Sequence, residues 1–186
     1  AVAALRLARV TANASATINR IAPGRTFLGI GTGNTAMRAM GQAPMGVKAF
    51  GDYIRVVQGL LKGDEVEYTL NGVTHPIQFQ NQEFKYIDVE NHIPVHVGGF
   101  GPRAQALAGE IGDGLITGIP RGGTIPQAME NVEKGIKKSG RSLDGFETFG
   151  LVNILMLKPK EKLTDESVIM QCGSAIMANI HFVVDG

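Results

Sequence analysis

Apolar residues recur at spacings of three and four through the first stretch of the chain, with Leu7, Val10, Ala14, Ile18 and Ile21 on one side. That period predicts an amphipathic helix over Ala1–Ile21, stopped by Ala22-Pro23-Gly24. Thr26–Ile30 is a short apolar run ending at Gly31, the mark of a buried parallel strand. A second helix carries Val47, Phe50, Ile54, Val57 and Leu61 on one face and ends at Gly63. Val66–Phe79 is different: it is rich in Tyr, Thr and Val around Asn71-Gly72. Asn-Gly supplies the positive φ angles of a type I′ turn, so this stretch predicts a β-hairpin, inserted over residues 66–90.

The pattern then alternates. Pro94–Gly99, Gly114–Thr117 and Phe149–Leu157 read as strands. Arg103–Ile111 reads as a helix with Ala104, Leu107, Ala108 and Ile111 inward. Thr124–Ser139 reads as another, with Ile125, Met129, Val132 and Ile136 inward, Thr124 as N-cap and Gly140 as stop. The tail from Glu166 is helical and interrupted at Gly173. Strands alternating with helices imply an α/β fold with a parallel sheet, and no linker divides the single domain expected over residues 1–186.

Composition adds limits. The chain has 186 residues, 44% hydrophobic and 19% charged, ordinary for a globular domain. No apolar run approaches the roughly 20 residues of a membrane span, so no membrane partner is expected. One cysteine, Cys172, excludes an internal disulfide and fits a reducing, cytoplasmic setting. Charge is uneven. Before Asp52 lie Arg6, Arg9, Arg20, Arg25, Arg38 and Lys48 and no acid, whereas the remainder holds 12 basic and 17 acidic residues. Three readings stand: a solvated helix face, a wall for an anionic ligand, or an Arg-rich transit segment.

Two loops carry the candidate chemistry. Gly31-Thr32-Gly33-Asn34-Thr35-Ala36 and Gly99-Phe100-Gly101-Pro102-Arg103-Ala104 each follow a strand and match G-x-G-x-x-A. Glycine lets backbone approach a ligand, and a following helix start suits a phosphate. Pro102 fits a first helical position, and Arg103 adds a bidentate cation. A Rossmann dinucleotide fold competes, with Asp52 near the distance of its acidic residue, but Asp52 falls inside a helical pattern. Two tight turns without a ligand remain the plain alternative.

Ala22–Gly33 resembles the fourth-strand signature of luciferase-like monooxygenases and their deazaflavin-dependent relatives. Ile93–Pro102 is similar to the fifth strand and its loop, Ala108–Ile116 to the run into the sixth, and Ser139-Gly140-Arg141-Ser142 to the approach to the seventh. The closest look is to methylenetetrahydromethanopterin reductase-type members. The resemblance implies a (β/α)8 TIM barrel with the cofactor at the C-terminal strand ends. A barrel takes roughly 250 residues, so strands four to seven of an incomplete one are expected, in an internal fragment. By the same resemblance FMN or the deazaflavin coenzyme F420 lies beside Thr32 and Gly33. Met37 matches a cofactor contact. Phe100, Gly101, Arg103 and Ala104 match the segment for the cofactor's phosphate-bearing tail. Arg121 falls near a substrate-phosphate cation. The implied activity is an oxidoreductase acting on a small organic substrate by hydride transfer or monooxygenation, a dimer when full length. Asn34 stands where sugar-phosphate-oxidising members carry a catalytic glutamate, and an amide is no general base. Residues of the earlier strands are outside the chain, so no catalytic residue is assigned.

Other residues read plainly. His96 alternates with Val95 and Val97 and is either a structural histidine or a group in the barrel mouth. His75, His92 and His181 lack metal-ligand spacing, so no metal is expected. Asp113-Gly114 reads as a turn, and Cys172 as core. With no Trp and with Tyr53, Tyr68 and Tyr86 scattered, no nucleic-acid stacking platform is expected. Two rival functions remain: a non-catalytic luciferase-like subunit, and a phosphate-binding barrel of unrelated chemistry.

Overall fold

The computed structural model describes residues 1–118, 124–152 and 154–173. They fall into two compact units, Ala1–Gly150 and Leu151–Gly186. In the second, residues 166–173 are helical, with Val168 buried. Cys172 there is only half-buried rather than core.

The first unit runs α1 (Ala8–Ile21), β1 (Leu28–Ile30), α2 (Asn34–Ala39), α3 (Val47–Leu61), β2 (Val66–Leu70), β3 (Val73–Ile77), β4 (Val95–Gly98), α4 (Pro102–Ile111), β5 (Gly114–Gly118), α5 (Ile125–Ser139) and β6 (Glu147–Leu151). The α/β reading holds. An open sheet has the order β1-β4-β5-β6, and β4 pairs in parallel with both β1 and β5. Neighbours in this order follow the chain in one direction, unlike the reversal at the centre of a Rossmann sheet. Asp52 lies in α3 and pairs with Arg55 at 3.2 Å, so it is no strand-end acid.

β2 and β3 form the expected antiparallel hairpin, with Asn71 and Gly72 at φ of 52° and 80°. One face of β1, β4 and β5 is apolar. Leu28, Ile30, Val95, Val97 and Leu115 are buried, in one core cluster with Phe50, Ile54, Val57 and Leu60 of α3 and Leu107 of α4. Each such aliphatic side chain stabilises by about 2 kcal/mol.

Four further expectations need correction. The first helix starts at Ala8, not Ala1. Residues 1–3 run instead beside β1: Val2 bridges Gly31 in parallel, and Gly31 N–H donates to Ala1 O at 3.0 Å. Its packed face is also different. Ala8, Thr11, Ala12, Ser15, Ala16 and Asn19 are buried, while Val10, Ile18 and Ile21 are 50%, 55% and 81% exposed. Small side chains let α1 lie close on α3, where Thr11 Oγ1 and the Tyr53 hydroxyl meet at 2.6 Å. The large residues share the same helical period and therefore mimic a core stripe. Third, Ile125 in the first turn of α5 is exposed. Fourth, the last strand is Glu147–Leu151; described residues 152 and 154–157 carry no strand.

A buried polar knot ties the post-hairpin segment to α1. Asn19 Nδ2 donates to Asp88 Oδ2 and to Asn91 O, both at 3.1 Å. Burial alone would raise the Asp88 carboxyl. Hydrogen bonds from the Asn91 N–H and amide and the Glu90 N–H outweigh it, and hold the group below its usual range.

Candidate functional site

Both glycine loops leave the C-terminal ends of adjacent parallel strands. Gly98 lies against Gly31: an ideal Cβ on Gly98 would sit 3.4 Å from Gly31 Cα. The two segments that match one pattern in sequence are therefore neighbours in space.

Their local builds differ. In the first loop Gly33 caps α2 at φ +81°, and a Cβ there would overlap Val2 as well as approach Met37 Cγ at 3.2 Å. Met45 N–H donates to Thr32 O at 3.2 Å and fastens the loop from above. The helix that follows has six residues, and the sequence pattern had merged it into loop. Asn34 Oδ1 accepts from Arg38 Nε at 3.0 Å, a local helix contact. In the second loop Gly101 is extended, Pro102 opens the ten-residue α4, and Arg103 projects from an exposed first turn. Gly99 is tightly placed, because a Cβ there would sit 3.0 Å from Ala104 C.

α4 is held rigidly. It crosses α5 at Gly109 and Gly135, where a Cβ on either would overlap the Val132 or the Ala106 carbonyl. Asn131 Nδ2 donates to the buried Gln105 Oε1 at 2.9 Å. Glu110 accepts from Lys138 Nζ and from Arg55 Nη2, each at 2.7 Å. The hydrogen bond from Lys138, and the cation itself with Arg55, hold the Glu110 carboxyl below its usual range.

The face of the sheet away from α3 and α4 is graded from end to end. Register aligns Gly29 with His96 and His96 with Gly114 in one row, and Gly98 with Ile116 in the next. The N-terminal row is filled. His96 is buried, stacked 5.0 Å from Phe27 and tilted against Phe149 at 4.9 Å. Its bulk fits because its neighbour on β5 is glycine; a Cβ on Gly114 would lie 2.8 Å from His96 Cδ2. His96 Nε2 lies 3.1 Å from Glu147 Oε2, without the alignment of a hydrogen bond, and neither ring nitrogen has a hydrogen-bond partner among the described residues. His96 is thus at the filled end, not in the mouth. The C-terminal end is bare. A Cβ at Gly31 or Gly101 would meet nothing within 4 Å, which leaves space beside both loops. Thr32, Gly33, Met37 and Ala104 are half-buried there, while Phe100 and Arg103 are exposed. Arg121 lies outside the described residues.

A cleft of about 430 Å³ opens at the opposite, N-terminal ends of β4 and β5, lined by Gln58, His92, Glu110, Asp113 and Arg141 among others. Asp113, Arg141 and Gln58 are already committed. Asp113 Oδ2 accepts from Val95 N–H at 2.9 Å, Arg141 Nη1 donates to Gly112 O at 2.8 Å, and Gln58 donates to Ile111 O at 2.7 Å. Asp113 is the turn residue expected. These contacts join strand starts to helix ends, and active sites of such folds lie at the other end. No group of three metal-ligating side chains occurs among the described residues, and no helix there is long and apolar enough to cross a membrane.

Sequence reasoning found both loops but missed Gly29, Gly98 and Ile116. The signal was present: Gly29 and Gly31 flank the buried Ile30 with strand period, so both belong to the face opposite the core.

5,10-Methylenetetrahydromethanopterin reductase of Archaeoglobus fulgidus is 29% identical over 165 residues, covering 87% of this chain and 47% of that protein. F420-dependent glucose-6-phosphate dehydrogenase of Microbacterium testaceum is 28% identical, over 78% of this chain and 44% of that protein. The coenzyme F420-dependent tetrahydromethanopterin reductase of Methanopyrus kandleri superposes with a TM-score of 0.61 at 26% identity, over 78% of this chain and 46% of that one. An F420-dependent secondary alcohol dehydrogenase shares the fold at a TM-score of 0.61 and 23% identity. The chain spans about half the length of the curated relatives it matches. The profile described as luciferase-like monooxygenase matches residues 1–180, and the chain belongs to that family.

Proposed function

We propose that this chain forms part of a (β/α)8 barrel in a deazaflavin-dependent oxidoreductase that moves a hydride to or from a small organic substrate. The observation that carries the reading is the adjacency of the two glycine loops at the C-terminal ends of β1 and β4, with open space beside Gly31 and Gly101. That bare cradle fits a flat ring and a phosphate-bearing tail. Relatives whose names specify coenzyme F420 favour the deazaflavin over FMN.

In this reading the backbone of Gly31, Thr32 and Gly33 forms one wall for the ring, and Met37 adds an apolar edge. Gly99–Ala104 receives the anionic tail. The positive end of α4 favours negative charge, and Arg103 supplies a two-pronged donor. A bound deazaflavin supplies a ring carbon that accepts or gives the hydride. Within the two loops Arg103 is the one ionisable residue, so they bind and orient; neither holds an acid or base that moves a proton. Asn34, an amide engaged with Arg38, argues against a sugar-phosphate substrate, because oxidising such a hydroxyl calls for a base.

The test is a titration of the intact protein with coenzyme F420 and, separately, with FMN, followed by emission. Saturable F420 binding is expected, weakened ~10-fold in Arg103→Ala by loss of a charge-assisted contact. Binding of neither cofactor to folded protein overturns the proposal.

A further inference from the structure

The graded face of the sheet changes character at one side chain. Below lies the filled row, Gly29–His96–Gly114, with Phe27 and Phe149 on the His96 ring. Above lie Gly31 and Gly98, which offer no side chain. Between them stands Ile116 of β5. It is paired in register with Gly98, yet its Cδ1 reaches past β4 to β1, where a Cβ on Gly29 would be only 3.0 Å away. Gly29 therefore makes room for Ile116 to lie flat over the filled row. Its flanking residues Leu115 and Thr117 are fully buried on the other face, so Ile116 alone of the three turns to this side.

From this we infer that Ile116 is the floor of the cofactor site, the residue that fixes how deep the ring sits between the glycine loops. The inference rests on the proposed cofactor reading. Everything below Ile116 is occupied, and nothing above it on β1 or β4 carries a side chain. A flat aromatic ligand entering beside Gly31 and Gly98 stops on an aliphatic surface with no polar atom. A larger residue at 116 has one direction in which to grow, toward the mouth, because the filled row blocks the other.

Ile116→Phe tests this, with Leu115→Ala as its opposite-face control. F420 affinity, the emission maximum of bound F420 and the melting temperature are measured on the intact protein. The expected result for Ile116→Phe is affinity ~10-fold weaker, the scale of a small volume change in a fitted pocket, with the melting temperature near wild type. Leu115→Ala should lower the melting temperature and leave affinity unchanged. If Ile116→Phe fails to fold, Ile116→Ala decides: a deeper seat should shift the bound emission maximum, and an unshifted maximum with unchanged affinity overturns the inference. Wild-type affinity in Ile116→Phe overturns it while the cofactor reading stands. A wild-type protein that binds no F420 overturns both.

Discussion

The two glycine loops share one sequence pattern and differ in almost every physical respect. Gly31–Ala36 opens a six-residue helix, caps it with a left-handed Gly33, and is pressed by Val2. Gly99–Ala104 opens a ten-residue helix on an extended Gly101, with Pro102 at its start and a cation beside it. The first is a tight turn whose shape is set locally, by a left-handed Gly33 packed under Val2. The second is a helix terminus whose position is set at a distance, by the α4–α5 crossing. A motif match thus reports that backbone comes close to something. The element beneath the motif decides what that something is.

The comparison breaks most readily at the distant anchor. Gly135→Ala puts a Cβ onto the Ala106 carbonyl, and no rotamer relieves a backbone clash. Its expected cost is about 3 kcal/mol of stability, at the upper end for overpacking. Hydrogen exchange should show loosening in α4 and the second loop, and little in the first. Equal loosening of both loops would mean that they are anchored together.

Next comes the first loop. Gly33→Ala forces a side chain into the left-handed region and onto Val2, for about 2 kcal/mol. The double variant with Val2→Ala should recover the steric part and leave the backbone part, which denaturant titration resolves. No recovery would show that Val2 is not what holds the loop.

The smallest effect concerns pH. The Glu110 carboxyl is held below its usual value by Lys138 and Arg55. A depressed carboxylate stabilises the fold above its unfolded pKa, and that contribution is lost as pH falls through the folded value. Glu110→Gln should remove on the order of 1 kcal/mol at neutral pH, discounted because both cations are largely exposed, and should flatten the melting profile below about pH 4. A variant with the wild-type acid profile would show that the glycine crossing alone holds α4.

Much of this fold was legible because β1, β4 and β5 bury one apolar face and α5 carries its own cap. Thr124 is the N-cap the pattern suggested, and the structure adds Gln127 to make a capping box; Asn71-Gly72 makes its turn. What misled was periodicity without size. Leu7, Val10, Ile18 and Ile21 keep helical spacing, yet α1 packs through alanine, serine and threonine. Burial goes to the face that lets backbones approach, and a list of large apolar residues does not reveal it. The site was half legible. The loops announce themselves by glycine spacing, but their adjacency depends on strand order, and the role of Ile116 depends on register across three strands. Neither is written in any local window.

The row Gly29–His96–Gly114 has a consequence for how this protein can vary. His96 shares its volume with Gly114, while the space left by Gly29 is taken by Ile116 of the next row. Residue size there is a property of the row rather than of any one site. A Cβ at Gly114 would meet the Glu147 carbonyl at 2.6 Å as well as the His96 ring at 2.8 Å, so shrinking His96 alone does not make room for it. The N-terminal end of the sheet is in that sense closed to a one-for-one exchange of bulk, a constraint imposed far from the loops.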